Sequence, residues 1–373
     1  MRLRCCICFL LLLSKDLTAQ QHKSWDGFGI EANFMGGRVL KHTVNFHAPV
    51  PDFSSAFELN FIQQTYGKKD WEQRRHYPLV GVGLTFTNYG IDSIYGKCIS
   101  IYPNLQLPII KGKNIEWTLR AGFGLGYVTR HYERTPVFDT LNNAIGSHFN
   151  NYSFFATDLR LHLDTHVDLQ VGANFSHISN AALRTPNLGV NLYGAHIGFR
   201  YFPVASRPEK IDRKLSPLKN RWLAQIRLGI AANEYGQANG PLYPVYLVSV
   251  FASKRYLSKN KLLIGVDYSY HEGIYAFLKN NDIHPGEEGK YSWKSSIFAG
   301  NEFLLGRFGI LLQVGYYIKE ASLKLDPYYE KLGCNIYLIQ REKGFLKELS
   351  TSVLLKTHKT QAELVEIGLG AGF

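Results

Sequence analysis

The sequence predicts an all-β protein, an outer-membrane antiparallel β-barrel, on three observations. Hydrophobicity alternates with a period of two almost throughout. The chain is rich in Tyr (23), Phe (23) and Gly (34) and has only two Met. It opens with an export-like leader, after which no stretch approaches the ~20 apolar residues of a membrane-spanning helix.

The leader comes first. Arg2 and Arg4 precede "CCICFLLLL", and "SKDLTAQ" follows, with Leu17 and Ala19 at positions suited to cleavage. This reads as a signal peptide over residues 1–19. A membrane anchor fits less well, because the apolar run is short and "SKD" interrupts it. Gln20 stands where a lipoprotein leader would need cysteine. Three of the five cysteines lie in this segment, leaving Cys98 and Cys334, so disulfides are not expected to hold the exported chain together.

The strands follow. Ile115, Trp117, Leu119, Ala121, Phe123 and Leu125 alternate with Glu116, Thr118, Arg120, Gly122 and Gly124. Phe155 to Leu163 repeats the split against Asp158, Arg160 and His162. Val167, Leu169, Val171, Ala173 and Phe175 oppose Asp168, Gln170, Gly172, Asn174 and Ser176, and Trp222 to Ile230 does the same beyond residue 220. Soluble sandwiches also alternate. Charges and glycines on the polar row, in segments of ~10 residues or more, instead suit tilted membrane strands whose apolar face meets lipid.

About sixteen such segments occur: 27–40, 53–65, 77–88, 97–109, 115–128, 152–163, 165–177, 191–203, 221–233, 243–254, 261–271, 292–303, 307–318, 328–338, 345–356 and 361–373. With a periplasmic N-terminus, "IKGKN", "DTHV", "LLGR" and "RYLSKN" become short periplasmic turns. "TRHYERTPVFDTLNNAIGSHFNN" and "HEGIYAFLKNNDIHPGEEGK" become long outside loops, the asymmetry expected of such barrels. The last strand, "AELVEIGLGAGF", puts Val365, Ile367, Leu369, Ala371 and Phe373 on one face. Its terminal aromatic suits the barrel assembly machinery of a Gram-negative outer membrane.

One composition break, "VASRPEKIDRKLSPLKN", divides the chain into residues 20–203, a periplasmic linker over 204–220, and 221–373. The preferred reading is one barrel of about sixteen strands, because a single closed sheet leaves no edge. The alternative is an eight-stranded barrel followed by a second β unit. The formal charge of +12 falls to +10 when Arg2, Arg4, Lys15 and Asp16 are removed. In an exported chain this favours anionic lipid or lipopolysaccharide over nucleic acid.

The chemistry is expected in "NFSHISNAALRTPNLGVNLYG". His177 and Ser179 continue the apolar row through Phe175, so they point outward. The row of the next strand, Tyr193 to Tyr201, extends back to Asn191. Polar groups facing hydrocarbon are costly without partners. Residues merely flanking a loop at the headgroups would reduce that cost. The catalytic reading is that His177 takes the proton of Ser179, and Asn191 fixes the tautomer of the imidazole. Backbone N–H groups around Asn180 to Ala182 are oxyanion-hole candidates.

"HISNAALRTPNLGVN" resembles the signature of the PagL-type lipid A 3-O-deacylases, also described as acyloxyacyl hydrolases. "YVTRHYERTPVFDTLNNAIGSHFN" resembles the corresponding loop of family members from Bacteroidetes-like bacteria. The resemblance covers roughly residues 25 to 203. It implies an eight-stranded outer-membrane barrel that removes the ester-linked acyl chain at position 3 of lipid A without metal or cofactor. It also implies His177 as base, Ser179 as nucleophile and Asn180 at the oxyanion hole. Where the best-known deacylases place Glu, this chain has Asn191. Outer-membrane phospholipase A is similar in using His, Ser and Asn. The triad therefore supports a lipid esterase more firmly than it picks the lipid.

Other candidates are weaker. Ser147 and His148 sit in a long loop and read as loop-ordering residues, while His162 and His196 fall on polar rows. Asp282, Glu287 and Glu288 match no calcium loop. His271, His284 and His358 lack metal-ligand spacing. The expected function is lipid A deacylation at the outer membrane. Phospholipase A activity and a non-enzymatic pore or surface-binding barrel are the alternatives.

Overall fold

The computed structural model describes residues 25–134, 141–204, 208–235, 238–320, 327–359 and 361–373. The predicted leader lies outside the described residues, as does 135–140 of the long loop. The first eight strands are β1 (Phe28–Leu40), β2 (Ser54–Gln64), β3 (Leu79–Asn88), β4 (Lys97–Lys111), β5 (Ile115–Val128), β6 (Phe149–His162), β7 (Val167–Ser179) and β8 (Val190–Tyr201). The second eight are β9 (Trp222–Glu234), β10 (Leu242–Tyr256), β11 (Asn260–His271), β12 (Trp293–Leu305), β13 (Phe308–Glu320), β14 (Tyr328–Gln340), β15 (Glu348–His358) and β16 (Gln361–Gly372). Among the described residues three short helices accompany them: α1 (Asp70–Arg74), α2 (Glu272–Asn280) and α3 (Glu288–Tyr291).

The all-β, sixteen-strand antiparallel prediction holds, and strand pairing decides between its two closures. β1 pairs with β8 from Ile30↔Tyr201 to Leu40↔Asn191, and β16 pairs with β9 around Ile367↔Ile230. The strands therefore form two closed eight-stranded barrels, correcting the preference for one large barrel. The linker explains why β8 and β9 do not form a hairpin. It runs back along α1, where Ile211 N–H donates to Tyr66 O at 2.7 Å and Gln73 Nε2 to Asp212 Oδ1 at 2.6 Å. At the first seam, Gly37 and Gly194 let two backbones meet closely. A Cβ on Gly37 would lie 2.1 Å from Tyr193 O, and one on Gly194 2.1 Å from Gly36 O.

The period of two sorts side chains between wall and interior. Outside both barrels stand exposed Phe34, Ile99, Leu125, Ile197, Leu228 and Ile367. Inside the first, Arg120 Nη1 pairs with Glu58 Oε2 at 3.0 Å, Arg160 Nη2 with Glu31 Oε1 at 3.1 Å, and Arg200 with Asp168 at 2.6 Å. Inside the second, Lys261 meets Glu348 at 2.7 Å and Lys331 meets Glu366 at 2.8 Å. An eight-stranded wall encloses room for side chains only, so these charges satisfy one another across the interior.

Short turns close one end. In the β6–β7 turn, Asp164 Oδ1 accepts the N–H groups of His166 (2.6 Å) and Val167 (2.7 Å), bonds that hold its carboxyl below the usual carboxylate range. At the other, loop-bearing end the first barrel's interior becomes apolar. Ile178 and Val190 pack there with Met35, Tyr102, Tyr152 and Phe154.

Candidate active site

The site arises from register. β7 pairs with β8 at His177↔Asn191 and with β6 at Asn151↔Ser179 and Ser153↔His177. Directly opposed residues have Cβ atoms ~4.5–5.5 Å apart and share a face of the sheet. Asn151, His177, Ser179 and Asn191 therefore stand together on the outward row at the loop-bearing end. Their inward neighbours Ile178 and Val190, each 1% exposed, sit in the apolar core below. Packing thus fixes the backbone from which the polar set projects.

His177 Nδ1 lies 2.6 Å from Asn191 Oδ1, and His177 Nε2 lies 2.9 Å from Ser179 Oγ. The three residues singled out by sequence are brought within hydrogen-bond reach of one another. An amide oxygen opposite Nδ1 places the ring proton on Nδ1, leaving Nε2 as the acceptor for Ser179. Gly189, at φ +76°, lets the next chain segment pass the ring: a Cβ there would fall 2.6 Å from His177 Cε1.

Exposure differs from the expectation of an open lipid-facing pair. On the outward rows Val171 is 51% and Tyr193 48% exposed, whereas Ser179 is 3% exposed. Loops cover it. Gly189 N–H donates to Ala144 O at 2.8 Å, tying the β7–β8 loop to the β5–β6 loop. His42 Nε2 lies 3.0 Å from Leu188 O.

Asn180 is placed beside Ser179, with its polar groups engaged in the loop. Its N–H donates to Asn187 Oδ1 (2.8 Å), its Nδ2 to Ser147 Oγ (3.0 Å), and its Oδ1 accepts from Arg184 N–H (3.2 Å). Ala181 and Ala182 follow at φ 55° and 64°. Each non-glycine residue in that region costs about 1–2 kcal/mol. Their N–H groups make none of the hydrogen bonds found among the described residues.

Sequence reasoning missed Asn151 and Asn187. Asn151 Oδ1, 3.0 Å from Ser179 Oγ, is a second, alternative acceptor for its one proton. The signal was present: β6 and β7 pair symmetrically about residue 165, which sets Ser179 opposite Asn151. Ser147 and His148 order their loop as expected, Ser147 through Phe149 O at 2.8 Å and His148 Nδ1 against Val128 O at 2.7 Å. His196 and His162 lie on the interior row beside Asp158 (2.9 Å) and Asp168 (2.7 Å). His358 meets Glu363 at 2.9 Å in the second interior.

An eight-stranded barrel with an apolar exterior and a hydrogen-bonded His–Ser–Asn set on its wall defines a class: membrane-type barrels with a polar cluster on the outer face. Residues 55–200 match the family model "Lipid A 3-O-deacylase (PagL)", and residues 220–373 match "Acyloxyacyl hydrolase, C-terminal domain". The chain belongs to this PagL-type lipid A 3-O-deacylase family. Its second barrel, which the sequence resemblance did not cover, thus has a family model of its own.

Among solved structures, the outer membrane enzyme PagL is 18% identical over 45% of this chain and 97% of its own, with a TM-score of 0.30. Neisserial surface protein A is 14% identical over 47% and 97%, with a TM-score of 0.31. A mutant porin from Rh. blastica is 10% identical over 93% and 99%, with a TM-score of 0.18. No curated protein matches the chain.

Proposed function

We propose that this protein is an outer-membrane serine esterase that hydrolyses an acyl ester of lipid A, with Ser179 as nucleophile, His177 as base and Asn191 as the residue orienting His177. The observation that carries the reading is the unbroken hydrogen-bond line from Asn191 through His177 to Ser179. His177 Nε2 takes the Ser179 proton as Oγ attacks the ester carbonyl. The new Oγ–C bond moves the C=O π pair onto the carbonyl oxygen, an oxyanion facing N–H donors drawn from Ala181, Ala182 and the Asn151 amide. Collapse of this intermediate breaks the ester C–O bond, and imidazolium returns the proton to the departing sugar oxygen. Water then attacks the acyl-enzyme with His177 again as base, releasing the fatty acid and restoring Ser179. No metal or cofactor takes part in this scheme.

Family membership favours lipopolysaccharide as substrate and position 3 as the ester cleaved. The loop-bearing end then faces the outer leaflet, where lipid A arrives by lateral diffusion. Assembly by the barrel machinery and a periplasmic linker complete the proposal. The decisive experiment is mass spectrometry of lipid A from cells making the wild-type chain or Ser179→Ala. Loss of one acyl chain with wild type only is expected; unchanged lipid A in both would reject the reading. Asn191 favours a second lipid, since a His–Ser–Asn set also suits a phospholipase A. Labelled phospholipid presented in parallel separates the two substrates.

A further inference from the structure

We infer that Glu234, in the second barrel, is a positioning residue for the active-site turn of the first; this rests on the esterase reading of that turn. Glu234 is the last residue of β9, paired with Leu242, and its side chain is fully buried. Its carboxylate reaches across to the β7–β8 loop. Oε1 accepts from Arg184 Nη1 at 2.9 Å, and Oε2 accepts from both the N–H and the Oγ1 of Thr185 at 2.6 Å each. Glu234 N–H donates to Ala182 O at 3.3 Å, and Gly240 O accepts from Arg184 Nη1 at 3.1 Å.

The clamped segment lies between two anchors. On its near side Asn180 O accepts from Leu183 N–H at 3.1 Å and Asn180 Oδ1 accepts from Arg184 N–H at 3.2 Å. On its far side stands Glu234. Ala181 and Ala182, left-handed and without glycine's freedom, lie in this span, and such residues persist when their surroundings over-determine them. Ester hydrolysis needs N–H donors preorganised about 2.7–3.1 Å from the developing oxyanion. The carboxylate therefore acts on the reaction through the turn's shape without touching the substrate.

Docking of the barrels alone does not require this arrangement. At the turn-bearing end Arg75 already joins them, donating to Lys259 O and to Asn260 Oδ1 (3.0 Å) and Leu304 O (3.3 Å). The carboxylate of Glu234 instead takes the Arg184 guanidinium and the backbone N–H and hydroxyl of Thr185, a few positions beyond the proposed nucleophile. The second barrel's contribution to the site is thereby a fixed carboxylate.

The test uses the full chain in detergent micelles, with p-nitrophenyl hexanoate and lipopolysaccharide as probes, for wild type, Glu234→Ala, Glu234→Gln and Arg184→Met. Glu234→Ala is expected to lower kcat about 100-fold with KM changed less than about twofold, the signature of lost transition-state stabilisation. Glu234→Gln, whose amide oxygen still accepts from Thr185, recovers about tenfold of that loss. Arg184→Met keeps both Thr185 bonds and loses about threefold. Hydrogen exchange at Thr185 and its neighbours should quicken in Glu234→Ala while β9 to β16 stay protected. If Glu234→Ala does not fold, Glu234→Gln and Arg184→Met carry both readouts. Unchanged kcat or unchanged exchange in a folded variant overturns the clamp, as does a loss expressed in KM alone. An inactive wild type overturns the esterase reading instead, and the exchange comparison still decides the clamp.

Discussion

Ser179 has one proton and two neighbours able to accept it, His177 Nε2 at 2.9 Å and Asn151 Oδ1 at 3.0 Å. When the proton points to His177, an Asn151 amide turned so that Nδ2 faces Oγ becomes a donor beside the oxygen proposed to attack. Asn151→Asp is therefore expected to lower kcat about 100-fold, because a carboxylate there repels the developing oxyanion; Asn151→Gln tests whether an amide set further out still serves. Ser179→Ala should cost about a thousandfold or more in acyl release while heat-modifiable migration on gels persists. Gly189→Ala addresses His177 without altering any polar group. Its methyl would strike the ring at 2.6 Å from a strained φ of +76°, so kcat should fall with the loop's register otherwise intact. Wild-type turnover in that variant would mean the ring has room to move.

At the scale of elements, each strand presents one row to the exterior and one to an interior made of charges. Arg120 stands between Glu58 and Glu31, with side chains that are completely buried. Arg120→Met leaves Glu58 without its cation, while Glu31 keeps Arg160, and should cost about 3–5 kcal/mol, read as a lower urea midpoint for the folded gel species. The strands and these rows were legible because alternation is a local property: Glu116, Thr118 and Arg120 declare the inner face without knowledge of any partner strand. His177, Ser179 and Asn191 were legible for the same reason, as parity alone put them on one side. Burial of Ser179 was not, since the covering segment near Ala144 is remote in sequence and its approach depends on loop conformation. Asn151 lay between the two cases, reachable only by counting the β6–β7 register outward from the turn at Asp164.

For the whole molecule, the choice between one ring and two was beyond a local pattern. Every strand reads alike in either closure, and the deciding features are the glycine contact of β1 with β8 and a linker diverted along α1. Because paired charges fill both interiors, planar bilayers containing the protein are expected to show no stepwise conductance, and steady openings would contradict the packed interiors. The barrels are joined near Glu234 at one rim and near Arg75 at the opposite rim. A single rivet permits swivelling; two rivets, one at each rim, forbid it. In a bilayer of altered thickness the pair should consequently lean as one raft.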